Sequence, residues 1–288
     1  MSQSPYVIGF ANLSEDSEYA VVVRQGLEKA IAQRDNIQLI NRDNKLDDKS
    51  AFDNASDFAK QNVDLAIFFH INERIGMEIQ TMLRPIPVLT IDIPFPLAPH
   101  FGINNQQSGE ILGKALTDWI QANWDGQVDR ILALVDSRVI VLRDRTEYAV
   151  DHLKTALGLD RDSVFYLDCG NDRDTTIKNV SSVFDTWEAH ERIGVITFNA
   201  ESTFGLLESA KAHNILDKLA IVANAADHPL LDKLQEPDNH IIATSYFDPA
   251  DYGEHLMALV DRHREGERLP QRTFMDMELH LAPHPFVT

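Results

Sequence analysis

Short apolar runs and helix-length amphipathic stretches alternate along this chain almost without interruption. Residues 6–11 make a short apolar run, followed by a polar loop from Asn12 to Ser17. Tyr19, Val22, Val23, Leu27, Ala30 and Ile31 then recur at helical spacing and predict one buried stripe. Residues 37–40 read as a second strand, and Phe52, Ala55, Phe58 and Ala59 mark a second helix. Residues 64–69 form a continuous apolar strand of the kind that parallel sheets bury on both faces. A helix over 75–83, stopped at Arg84 and Pro85, and a strand over 87–91 complete a βαβαβαβ series, which predicts a doubly wound parallel sheet.

After Pro94, Pro96 and Pro99 and a strand over 100–103, the pattern restarts. Helices are expected over 108–123, 146–157, 175–189, 202–213 and 249–265, with a short one after Pro229. Strands are expected over 130–135, 163–167, 193–198, 219–223, 241–244 and 274–281. The two halves are of similar make-up, and no Gly/Ser-rich linker separates them. The expected fold is therefore α/β, with two doubly wound parallel-sheet lobes joined by several short extended crossings. Such sheets bind ligands at the carboxyl ends of their strands, so two facing lobes would enclose a small molecule.

Composition narrows the function classes. Twenty-six Lys and Arg against forty-five Asp and Glu give a net charge of −19, with no cationic cluster to hold a phosphate backbone. Direct nucleic-acid binding is not expected. The single Cys169 excludes an intramolecular disulfide and any cysteine-based zinc site. The eleven histidines show no metal-ligating pair at i, i+4, and no phosphate-cradling, dinucleotide or nucleophile-elbow motif occurs. Catalytic residues, a metal and a cofactor are not expected. The first six residues show no basic region followed by an apolar one. That predicts either a trimmed exported protein or a cytoplasmic one.

Polar groups gather at the predicted strand ends. Asp92, Asn104, Asp136, Asn171, Asn199 and Asp227 all fall there, and each has a competing reading as a cap of the helix that follows. Short amides and carboxylates with an arginine and an aromatic plate are what a hydroxylated ligand requires; Tyr19 and Phe247 are candidates for the plate.

The order of segments resembles the type I periplasmic binding proteins, the superfamily of ribose-binding proteins and lactose-repressor effector domains. Its markers are Tyr6-Val-Ile-Gly-Phe-Ala11, Gln25-Gly-Leu-Glu-Lys-Ala30 and Ile86-Pro-Val-Leu-Thr-Ile-Asp92. Gly102-Ile-Asn-Asn-Gln-Gln-Ser-Gly109, Leu142-Arg-Asp-Arg-Thr-Glu147 and the segment from Ile242 to Gly253 follow in order.

The resemblance implies three crossings, near 103–107, 244–248 and 268–273. It divides the chain into 1–104 plus 247–270 for the first lobe and 105–246 plus 271–288 for the second. It also implies a ligand-stacking aromatic at Tyr19, a carboxylate–guanidinium pair in Asp92 and Arg145, and wall positions at Asn104, Asp136, Asn171 and Asn199.

Two departures stand out. The family's sugar-binding aspartate is replaced in Ala223-Asn224-Ala225, unless Asp227 takes the role, and Phe247 stands where ribose binders place a glutamine. The implied function is capture of a sugar-like molecule for the membrane subunits of an ABC transporter, by an extracytoplasmic monomer. The alternative is the sensing domain of a dimeric cytoplasmic regulator; an α/β enzyme with its active site between the lobes lacks the motifs named above.

Overall fold

The computed structural model describes residues 4–188, 190–225, 228–236 and 240–283. The chain divides into two α/β lobes: Met1–Ile103 with Asp248–Asp276, and Asn104–Phe247 with Met277–Thr288. It therefore passes from one lobe to the other three times.

The first lobe holds β1 (Tyr6–Asn12), α1 (Glu18–Ile31), β2 (Ile37–Asp43), α2 (Asp48–Gln61), β3 (Leu65–Phe69), α3 (Gly76–Leu83), β4 (Val88–Ile91) and β5 (His100–Gly102). Its sheet has the order β11-β5-β4-β3-β1-β2, where β11 is Arg272–Phe274, and every pairing is parallel. All five residues of β3 are buried, as its unbroken apolar run requires of a strand covered on both faces. One face packs Phe58, Phe68, Ile79, Leu83 and Phe95 into a core beneath α2 and α3. On the other, α1 packs against α9 (Tyr252–Arg264).

The second lobe begins with α4 (Asn105–Asn123), β6 (Arg130–Val135), α5 (Ile140–Leu157), β7 (Val164–Asp168) and α6 (Arg173–Phe184). It continues through β8 (Ile193–Thr197), α7 (Ala200–Ala212), β9 (Leu219–Ala225), α8 (His228–Gln235) and β10 (Ile241–Tyr246), with β12 (Glu278–Leu281) added at the edge. Its order is β12-β10-β9-β8-β6-β7, parallel except for antiparallel β12. Two apolar clusters sandwich this sheet, one on Trp124, Leu116 and Leu153, the other on Phe198, Phe184 and Leu206.

Four expectations are corrected. The apolar run over 274–281 is two strands: β11 pairs with β5 in the first lobe and β12 with β10 in the second. Residues 271–276 consequently belong to the first lobe, and the last passage lies at 276/277 rather than within 268–273. Helix α5 starts at Ile140 rather than at residue 146, and α6 ends at Phe184 rather than at residue 189.

Candidate functional site

In the first lobe the strand ends converge on Asp92, one residue past β4. Its backbone is left-handed, with φ 56, and its N–H donates to Phe101 O at 2.9 Å. Ile93 N donates back to Ile91 O at 2.6 Å, so the chain folds sharply around Asp92 and turns the carboxylate off the strand axis. Gly102 on neighbouring β5 leaves the room: a Cβ there would lie 2.9 Å from Asp92 Oδ1 and 3.0 Å from its Cα.

Two phenols then fix the carboxylate. Tyr19, in the first turn of α1, donates to Oδ2 at 2.8 Å, and Tyr252, the first residue of α9, donates to Oδ1 at 2.7 Å. Their hydroxyls are 3.0 Å apart. Tyr252 is fully buried, and burial, followed by the neighbouring Asp92 charge, raises its pKa well above the ordinary phenol value. The Tyr19 ring, expected as an apolar plate, meets Phe69 and Tyr252 edge-to-face at 5.9 and 6.3 Å, and its hydroxyl is tied to Asp92.

The second lobe gathers its groups at the ends of β6, β7 and β8. Asp136, 1% exposed, follows β6 and forms a two-pronged ion pair with Arg138: Nε to Oδ1 at 2.9 Å and Nη2 to Oδ2 at 2.8 Å. Burial pushes the Asp136 carboxyl up, but the Arg138 side chain, backbone N–H and charge together hold it below the usual carboxylate range. Arg138 also donates to Gly170 O, beside Asn171. Asn171 is left-handed, φ 51, and its Oδ1 accepts from the Asn199 amide.

Asn199 also caps α7, accepting from Ser202 N at 2.9 Å, and Arg145 Nη1 donates to the carbonyl of the preceding Phe198 at 3.0 Å. The Arg145 Nε proton goes to Asn105 Oδ1 at 2.7 Å. Arg138, Asn171, Asn199 and Arg145 thus form one continuous polar set.

Asn104 is the N-cap of α4, accepting from Gln107 N at 3.1 Å, so its Oδ1 does the work the capping reading expects. Phe247 is buried just past β10. Asp227 lies outside the described residues. Cys169 is buried and its thiol is pushed up to about 12, chiefly by burial, which makes it unreactive. Among the described residues no group of three or more His, Cys, Asp or Glu is placed to hold a metal ion. No described helix is long and apolar enough to cross a membrane.

The sequence over residues 8–268 matches the periplasmic binding protein domain. The chain belongs to that family. Among solved structures, the fold of this periplasmic binding protein is similar to an ABC sugar transporter subunit from Rhodobacter sphaeroides 2.4.1. The TM-score is 0.81 at 16% identity, covering 97% of this chain and 99% of that one. An ABC transporter solute binding protein from Bacillus halodurans C-125, solved with bound myo-inositol, gives 0.78 at 16% identity, covering 98% and 96%. One from Mycobacterium smegmatis with bound glycerol gives 0.78 at 17%, covering 96% and 94%. No curated protein sequence matches the chain.

Three groups of this periplasmic binding protein's site escape sequence reasoning. Arg138 reads as a loop residue and Tyr252 as a helical core position. Asn224 does not read as a buried link, yet it accepts from both Ser108 and Ser245, which follow and precede lobe passages. The recurrent signal was Tyr252's place in the Ile242–Gly253 segment.

Removing Arg138 leaves a buried carboxylate with only a backbone donor. Arg138→Ala should therefore destabilise the second lobe by about 2 kcal/mol, more than the same change at surface Arg143, as read by urea melts at pH 7.

Proposed function

We propose that this chain is the solute-binding component of an ABC transporter, capturing a neutral sugar or polyol outside the cytoplasm and presenting it to membrane-embedded subunits. The observation that carries this reading is the chemistry at the strand ends. A fixed carboxylate, Asp92, stands in one lobe, and a guanidinium with two amides, Arg145, Asn171 and Asn199, stands in the other. Carboxylates, amides and a guanidinium of this kind are the groups that hydrogen-bond ligand hydroxyls. Family membership and the names of the structural neighbours point the same way.

Buried Phe247 in place of an amide favours a ligand with an apolar side, such as a deoxy sugar or a glycoside. Two lost hydrogen-bonding partners should leave ribose weaker by roughly a hundredfold. A thermal-shift screen of pentoses, hexoses, deoxy sugars and cyclic polyols, followed by calorimetry on the best hit, tests the proposal.

Asp92→Ala and Arg145→Ala should each weaken that hit at least about tenfold, because a hydrogen bond to a charged group contributes about 1.5–3 kcal/mol. A screen with no stabilising sugar or polyol, or both variants binding as tightly as the unaltered chain, would count against it.

A further inference from the structure

The sheet of the second lobe ends at β12, and no described strand pairs with the outer edge of that strand. Ala282 N donates to Ile242 O at 3.0 Å, in the same register that sets His280 opposite Thr244 and Glu278 opposite Tyr246. Residues 278, 280 and 282 therefore turn their backbone groups toward β10, whereas Met277, Leu279 and Leu281 turn theirs outward.

The side chains alternate in step. Leu279 and Leu281 lie on the face covered by α4, where they border a groove with Ile111, Ala115 and Trp119, and they are 40% and 62% exposed. Glu278 and His280 share the opposite face, with His280 Nε2 3.1 Å from the Glu278 carboxylate. Sheets ordinarily blunt a free edge with lysine, proline, a bulge or a covering element. Strand β12 carries no lysine, proline or bulge, and its leucines stand open.

A strand so patterned is complementary to itself. When two copies pair antiparallel about a twofold axis normal to the sheet, their leucine faces stay on one side and their Glu/His faces on the other. A register centred on Leu279 joins outward-pointing backbone groups: Leu279 with Leu279 of the partner subunit, and Leu281 with Met277 of the partner subunit. It also sets His280 opposite the partner's Glu278, so each ion pair within a strand gains a second partner across the edge. A register centred on His280 would set imidazole against imidazole. The charges choose the first.

We infer that the outer edge of β12 is an interface between two copies of this chain, paired antiparallel about Leu279 so that two sheets become one. The leucines of both copies then make one apolar strip along the groove beside α4. The family resemblance implies a monomer, and this inference goes beyond the ligand reading: it needs no ligand, and its test uses none. The net charge of −19 on each copy opposes association, so the dimer is a concentration-dependent one.

Sedimentation equilibrium of the full chain reads the monomer–dimer constant between about 1 and 200 μM, at about 0.15 M salt, where charge repulsion reaches only about 8 Å. Dimers are expected in that range. Leu281→Lys should weaken them at least about tenfold. Leu279→Pro removes an outward-pointing donor, which an edge strand tolerates, and should weaken them at least as much. Either variant suffices if the other fails to fold, as judged by circular dichroism.

The register has its own test. His280→Glu sets carboxylates opposite each other twice per dimer and should weaken it about fivefold. Adding Glu278→His to it exchanges the two residues without changing net charge and should restore the original constant. A monomer throughout the concentration range overturns the interface and leaves the groove to some other occupant. A dimer indifferent to both leucine variants overturns it too, since association then uses another face. A dimer that needs the leucines but stays weak after the exchange overturns the register centred on Leu279.

Discussion

Alanine at Gly253 is expected to unfold the first lobe or leave it barely stable. A Cβ at that position would lie 2.0 Å from Gly26 O, 2.2 Å from Gly26 C and 2.6 Å from Leu27 N. All three atoms are backbone, so no rotamer change relieves the clash. Gly26 is hemmed in as well, since a Cβ there would fall 2.3 Å from Ala250 O, in the turn that leads into α9.

Helices α1 and α9 would have to separate by an ångström or more, opening the packing around buried Val23, Leu27, Leu256 and Val260. Overpacking ordinarily costs 1–3 kcal/mol, and a forced backbone shift belongs at or above the top of that range, so about 3 kcal/mol or more is expected. Urea denaturation at pH 7 measures it; a loss below about 1 kcal/mol would show that the helices can part freely. Since α1 carries Tyr19 and α9 begins at Tyr252, any folded fraction should also lose the phenol contacts to Asp92.

That contact was half-legible in the sequence. The Gln25–Ala30 and Ile242–Gly253 segments are recognisable as markers, but nothing in either says that the two glycines touch. The parallel strands were readable because a strand buried on both faces has few alternatives to an unbroken apolar run, as in β3. The run over 274–281 was misread because alternation shows that a segment is extended, not which sheet it joins, and the chain changes lobes inside it.

Helix α5 was entered late because its N-cap is Val139, whose side chain makes no capping bond, so the usual Ser/Thr/Asp/Asn signal is missing. At the site, the strand-end position of Asp92, Asp136, Asn171 and Asn199 was readable from the pattern. Their division of labour was not. Asn104 and Asn199 spend an oxygen on helix caps, and Asp136 is taken up by an arginine two residues away. Tyr252 looked like any apolar helix residue because the partner that makes its hydroxyl matter is 160 positions away.

His100 should give the folded protein a steep loss of stability on mild acidification. It stands on β5, 6% exposed, with Nδ1 3.3 Å from Thr90 Oγ1 and its ring edge-on to Phe274. Burial, aided by the charge of Arg272, lowers its pKa from 6.5 to about 4. The unfolded chain therefore binds a proton that the folded chain refuses, so folding stability falls as pH drops from about 6.5 to about 4 and levels off below that.

The difference of about 2.5 units corresponds to about 3 kcal/mol at the acid end. Burial moves His70 and His263 in the same direction. Asp136, held below 3.8, loses its contribution only at lower pH, so the two effects occupy separate windows. His100→Gln removes the titrating ring, and Thr90 Oγ1 keeps its bond to Pro99 O at 3.2 Å, so no buried hydroxyl is orphaned.

Urea melts at pH 7 and pH 4.5 should show the variant losing less stability than the unaltered chain by about 2 kcal/mol, most of the His100 contribution. Parallel losses in the two proteins would rule His100 out as the source.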